Sequence, residues 1–127
     1  LMADPISNFR MKFTGMSHSK SDDGRLLSSA HFDGTADGFG AVMGSVNLSQ
    51  TLEESRKTSG TCSWAAQVFG EDGTTSGNFA EGTWEQISGE NVWKLIFHGE
   101  TPDGRRVRSE GVVNLAERSY NGSLFEA

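Results

Sequence analysis

Four short turn clusters, Asp22-Asp23-Gly24, Glu71-Asp72-Gly73, Gly89-Glu90-Asn91 and Pro102-Asp103-Gly104, separate stretches in which apolar and polar residues alternate. Glycine tolerates the positive φ of a tight reversal, Asp and Asn satisfy local backbone donors, and a period of two is that of a half-buried strand. Consecutive strands joined by such turns pair antiparallel with their neighbours, so the chain reads as a β-meander. The pattern predicts eight strands near 8–18, 25–34, 40–52, 60–70, 74–87, 91–100, 104–115 and 118–126. The one helical candidate is Thr51 to Lys57, where Thr51 and Glu54 have capping-box spacing and Glu53 stands four residues before Lys57. Sixteen glycines and two prolines suit long, strongly bent strands. An open eight-stranded meander leaves two edges unpaired, whereas closure into an up-and-down barrel removes both and encloses room for side chains or one small ligand.

The chain is read as one domain over residues 1–127, with Leu1 ahead of Met2 taken as a cloning remnant. A lone Cys62 excludes an intrachain disulfide, and with no basic-then-apolar leader pattern the expected home is the cytoplasm. No apolar run approaches the roughly 20 residues of a membrane-spanning helix. Seventeen acids against eleven bases give a net charge of −6, which argues against nucleic acid and membrane surfaces as partners. Arg105-Arg106-Val107-Arg108 is too short a basic cluster to reverse that.

Hairpin geometry assigns faces. A two-residue turn at Asp72-Gly73 sets Val68 opposite Gly77, Trp64 opposite Glu81 and Cys62 opposite Thr83. A two-residue turn at Gly89-Glu90 sets Glu81 opposite His98 and Thr83 opposite Ile96. One at Pro102-Asp103 sets His98 against Val107 and Ile96 against Ser109, and a turn before Ser119 brings Val113 and Leu115 beside Gly122 and Tyr120. The expected lumen therefore carries Cys62, Trp64, Ala66, Val68, Phe79, Ile96, Val107, Val113, Leu115, Tyr120 and Leu124, with Glu81 and His98 as its ionisable members. Phe9, Met11 and Phe13 facing Ala30 and Phe32, and Val42, Val46, Leu48 and Leu52, extend it. The opposite face holds Phe69, Trp84, Trp93, Leu95, Phe97, Val112 and Phe125 beside Arg106, Arg108 and Glu110. Since one bulge would exchange the two sets, the mid-strand arginines decide which is outside. An aromatic outer face calls for cover, so a homo-oligomer, a dimer or trimer, is expected.

A carboxylate facing an imidazole across two strands in an apolar lumen is an acid–base pair, and Glu81 and His98 are the candidate catalytic residues. Cys62, Trp64, Phe79, Ile96 and Tyr120 are the candidate substrate-binding wall. The alternatives are that Glu81 is exposed after a bulge, or that it satisfies the Trp64 indole and His98 as a structural polar cluster. His31 reads as solvent-facing near Thr14, and His18 as a hairpin-tip residue. Cys62 on an apolar strand reads as a small core residue before a nucleophile. Three histidines and one cysteine have no short metal-ligand spacing, so no metal and no cofactor is expected. Asp37-Gly38-Phe39-Gly40 opens no helix and is no phosphate loop, and Gly-x-Ser-x-Gly, His-Glu-x-x-His and paired Cys-x-x-Cys are absent.

With eight meandering strands, glycine-bearing segments such as Gly82-Thr83-Trp84 and Glu110-Gly111-Val112-Val113, and no helix of substance, the chain resembles the small barrels of the allene-oxide-cyclase, dirigent and lipocalin-like groups. The N-terminal Gly-x-Trp of lipocalins and avidins is missing. The resemblance implies an end-open cavity for a small, largely apolar molecule. In the cyclase-like groups such a cavity guides isomerisation or ring closure without a cofactor. Two functions follow as expectations: a cofactor-free isomerase, cyclase or lyase using Glu81 and His98, or a carrier or sensor of a small apolar molecule using the same walls without chemistry. An interaction module presenting its aromatic outer face is a third.

Overall fold

The alternating stretches become strands that each bury one row of side chains. In the computed structural model, which describes residues 4–127, the strands are β1 (Ser7–Lys20), β2 (Leu26–Ala36), β3 (Gly40–Gln50), β4 (Ser59–Phe69), β5 (Thr75–Gln86), β6 (Val92–Glu100), β7 (Arg106–Asn114) and β8 (Ser119–Glu126). Each pairs antiparallel with the next, and β8 returns to β1 from Ser7 opposite Leu124 to Lys12 opposite Ser119. The result is the expected closed, up-and-down barrel of eight strands. The suggested remnant Leu1 lies outside the described residues. The candidate helix is a single 3-10 turn, Glu54–Arg56. Its capping box forms reciprocally: the Thr51 amide donates to Glu54 Oε1 at 2.8 Å, and the Glu54 amide to Thr51 Oγ1 at 3.1 Å.

Three of the four turn clusters are hairpins one residue longer than the tightest kind. At Glu71-Asp72-Gly73 the Gly70 amide donates to the Thr74 carbonyl at 2.8 Å and the Gly73 amide to the Gly70 carbonyl at 3.0 Å, with Gly73 at φ +85°. Asp22-Asp23-Gly24 and Pro102-Asp103-Gly104 repeat this, with Gly24 at +85° and Gly104 at +87°. The pattern is a type I turn closed by a left-handed glycine bulge. The turn aspartates are bonded locally, Asp72 to the Thr74 amide at 3.0 Å, Asp23 to Ser21 and Asp103 to Thr101. Gly89-Glu90-Asn91 sits in a four-residue connection, Ser88 to Asn91, between paired Ile87 and Val92.

The extra residue corrects the expected register. Val68 faces Ser76, Trp64 faces Ala80 and Cys62 faces Gly82. Across β5 and β6 the expected pairs Glu81 with His98 and Thr83 with Ile96 are observed. At β6 and β7 a second one-residue shift sets His98 against Arg108 and Ile96 against Glu110. The first shift turns β5 and β6 over and the second restores β7 and β8. Val113 pairs with Tyr120, two residues from the expected register and so on the same face. In β1, Phe13 faces Phe32 as expected. A bulge at Thr14 then re-phases the strand so that Met16 faces Ala30. Leu52 is exposed beyond the end of β3.

The lumen is therefore filled by Phe9, Met11, Phe32, Val42, Val46, Cys62, Trp64, Val68, Ala80, Trp84, Leu95, Phe97, Val107 and Tyr120. Tyr120, 2% exposed, is the hub of an aromatic cluster, with ring centroids 5.0 Å from Phe9, 5.2 Å from Phe32 and 6.0 Å from Trp64. Trp64 in turn lies 6.3 Å from Phe97. Its ring occupies the space over Gly44, where any Cβ would collide with it. Gly44→Ala is expected to displace Trp64 and cost about 1–3 kcal/mol through overpacking. Urea denaturation monitored by tryptophan fluorescence checks this, with an unchanged midpoint as the contrary result.

Candidate functional site

The aromatic cluster divides the lumen into two unequal chambers. At the end bearing the 37–39, 70–74 and 101–105 connections, a cavity of only about 90 Å³ is bounded by Phe39, Val42, Val68, Asn78, Thr101 and Val107, among others. At the opposite end, below the 21–25, 51–58, 87–91 and 115–118 connections, lies a cup of about 420 Å³. That volume is within the range of roughly 300–1,000 Å³ typical of small-molecule sites.

The cup is built from inward rows that alternation makes apolar. Strand β1 supplies Phe13 and Met16, β2 Leu26 and Ala30, and β3 Val46 and Leu48. Strand β5 adds Trp84 and β6 adds Trp93 and Leu95, while Val113 of β7 and Leu115 beyond it close the ring. Phe32 of the central cluster forms part of the floor. Its polar members are Ser28, Gln50, Ser55 and Gln86, and its one ionisable residue is Lys57. Ser55 and Lys57 come from the 51–58 connection. Arg25 fastens that connection to the rim, donating to the Ser49 carbonyl at 2.9 Å and pairing with Glu54 at 3.1 Å. The Glu54 carboxyl is held below its ordinary range, chiefly by the Thr51 amide and further by Arg25.

Of the expected site residues, Trp64, Cys62 and Tyr120 are inside, at or beside the central cluster. Glu81 and His98 do stand opposite each other on β5 and β6, but both project from the outer surface, because the longer β4–β5 hairpin turns those strands over. Phe79 and Ile96 turn with them, and Phe79 is 82% exposed. The placement of all four in the lumen is thereby corrected. Trp84, Trp93, Leu95 and Phe97, expected outside, take their places. Arg106, Arg108 and Glu110 lie on the outside as expected, Arg108 pairing with Glu110 at 3.0 Å and covering Phe125. His31 also faces outward, its ring held between Ser17 at 2.8 Å on Nε2 and Ser45 at 2.7 Å on Nδ1. Among the described residues no cluster of three or more His, Cys, Asp or Glu side chains is arranged to hold a metal ion. No helix among them is long and apolar enough to cross a membrane.

The titratable groups of the core are held neutral. Burial pushes the Cys62 thiol up to about 12, with a smaller contribution from the Glu81 charge. Burial likewise raises the Tyr120 phenol, partly offset by the Ser109 hydroxyl. Both serve as uncharged walls at neutral pH.

No protein-family model, curated protein or solved structure matches the chain.

A thiol whose folded pKa lies above its unfolded value keeps its proton in the folded state after the unfolded chain has lost it. Stability is therefore unaffected below the ordinary thiol value of 9.0 and falls as pH rises from there towards about 12. Thermal melts across that window should show a fall that is reduced in Cys62→Ala. A fall of equal size in both proteins would show that Cys62 does not contribute.

Proposed function

We propose that the protein binds a small, largely apolar molecule in the cup between Trp84, Trp93 and Leu48, as a carrier or sensor without chemistry of its own. The observation that carries this reading is the character of the wall: a cup of about 420 Å³ with apolar sides, closed at depth by an aromatic floor and bearing no ionisable group except Lys57. Apolar surface that the fold leaves open to water gains about 25 cal/mol for each Å² a ligand covers. A preformed cavity requires little reordering to be filled.

The isomerase, cyclase or lyase reading draws on a group able to move a proton beside the bound molecule. The pair expected to do so, Glu81 and His98, stands on the other side of the sheet, and the core thiol and phenol hold their protons. The balance of support therefore lies with binding. The homo-oligomer loses part of its warrant for the same reason, since four of the apolar residues expected outside are in the lumen. What still supports it is the outer row that includes exposed Phe79 and Met43.

Titration with N-phenyl-1-naphthylamine should give saturable fluorescence enhancement at one site per chain. Ala30→Phe, which fills the cup, should weaken binding by about tenfold or more, a loss near 1.4 kcal/mol. Glu81→Gln and His98→Gln, on the outer surface, should leave it unchanged. An absence of saturable binding would refute the proposal, as would equal binding by the Ala30→Phe variant.

A further inference from the structure

We propose that the cup takes its molecule one way round, with an apolar body inward and a single carboxylate at the mouth beside Lys57. This inference rests on the ligand-binding reading and names the class of its ligand, an amphiphile with one anionic end.

The cup is blind. The aromatic cluster closes its depth, where Phe32 is buried, so a molecule that enters has one end against rings and the other among the connections. The wall is graded to match. Val46, Trp84 and Leu95 are buried in it, and Ser28 is its one buried polar member. Gln50 and Gln86 end β3 and β5, while Ser55 and Lys57 stand exposed on the 51–58 connection. An ionised group carried to the floor would be stripped of water with no counter-charge beside it, whereas one left at the mouth stays hydrated. The cavity therefore accommodates one charged end and not two.

The sign of that end follows from the side chains around the mouth. Lys57 is the one ionisable residue of the wall, and no Asp or Glu lines it. Lys20 adds a second cation on the same side of β1, since it pairs with Leu26 as Met16 pairs with Ala30, and the other three all line the cup. Neither lysine forms an ion pair among the described residues. The acids of the surrounding connections stand outside the wall, and two of them are engaged, Asp23 by Ser21 and Glu54 by Arg25. The net charge of −6 acts from a distance and is screened over about 8–10 Å, whereas Lys57 meets a carboxylate at the mouth directly. An exposed pair of this kind gains at most about fivefold, so it sets orientation and sign while the apolar wall supplies the affinity.

The test uses decanoate, decanol, decyltrimethylammonium and decanedioate, each displacing N-phenyl-1-naphthylamine from the full chain and from Lys57→Glu, a change at an exposed position. The ratio of decanoate to decanol affinity should fall about fivefold in Lys57→Glu, while decanol binding stays within about twofold. In the wild-type protein decyltrimethylammonium should bind more weakly than decanoate. Decanedioate, which must bury one carboxylate, should bind at least about tenfold more weakly than decanoate. Ala30→Phe should weaken decanoate and decanol alike, as occupants of one cup. An unchanged ratio in Lys57→Glu, tighter binding of the cation, equal binding of decanedioate, or decanoate binding that survives Ala30→Phe overturns the proposal and leaves ligand binding in place. Failure of the naphthylamine itself to bind removes the underlying reading, and the proposal with it.

Discussion

Everything in this barrel hangs on the seat of one ring. Tyr120 belongs to β8, is paired with Met11 of β1 on one side and Val113 of β7 on the other, and so lies at the seam where the sheet closes on itself. From there it meets Phe9, Phe32 and Trp64, which come from β1, β2 and β4. A fully buried aromatic removes about 150–250 Å² from water, a gross gain of roughly 4–6 kcal/mol before entropy is charged against it. Rings of this size fit side by side only because inward positions around them are bare. A Cβ at Gly111 would press on Tyr120 and Phe9, and one at Gly44 on Trp64. Large and small residues alternate around the lumen, and the same cluster that closes the seam forms the floor of the cup.

Hairpin chemistry decides which residues reach that lumen. The eight strands and their meander were legible because alternation and Asp-Gly turns are local signals. The register was less legible, because a cluster such as Glu71-Asp72-Gly73 fits either a two-residue turn or a three-residue turn with a bulged glycine. The two differ by one residue, and one residue inverts a strand. The Pro102-Asp103-Gly104 hairpin inverted the chain a second time, so β7 and β8 kept the expected faces and only β5 and β6 changed theirs. Thr14 shows the same effect inside a strand, where its bulge returns Met16 to the lumen.

A signal for the correct face was nonetheless present. On β5 and β6 one row carries Glu81, Glu85, Lys94, His98 and Glu100, and the other carries Trp84, Trp93, Leu95 and Phe97 with no charge at all. Burial of five ionisable groups in so small a lumen would cost far more than the apolar members of that row, Phe79, Val92 and Ile96, could return. Weighing charge over the two strands together, where hairpin counting followed one turn at a time, identifies the inner row. The cup is legible on the same terms: once Trp84 and Trp93 point inward, their strand ends lie beside Leu48, Leu26 and Val113. The unpaired Trp84 Nε1 was not legible, since only the packed structure shows the indole lying over Gly60 with no acceptor in reach.

The location of charge also governs what kind of site a barrel of this size can hold. A lumen wide enough for one small molecule has too few polar groups to solvate a carboxylate or an imidazolium, so an ionisable residue placed there either finds a partner or gives up its charge. Among the described residues such groups are directed outward or, as with Lys57, stand exposed at the mouth, while Cys62 and Tyr120 within keep their protons through burial. A wall of that kind discriminates by shape and by the few neutral donors and acceptors it presents. Polarity counts in such a wall as much as shape, because a buried polar group left without a partner costs more than a made hydrogen bond returns.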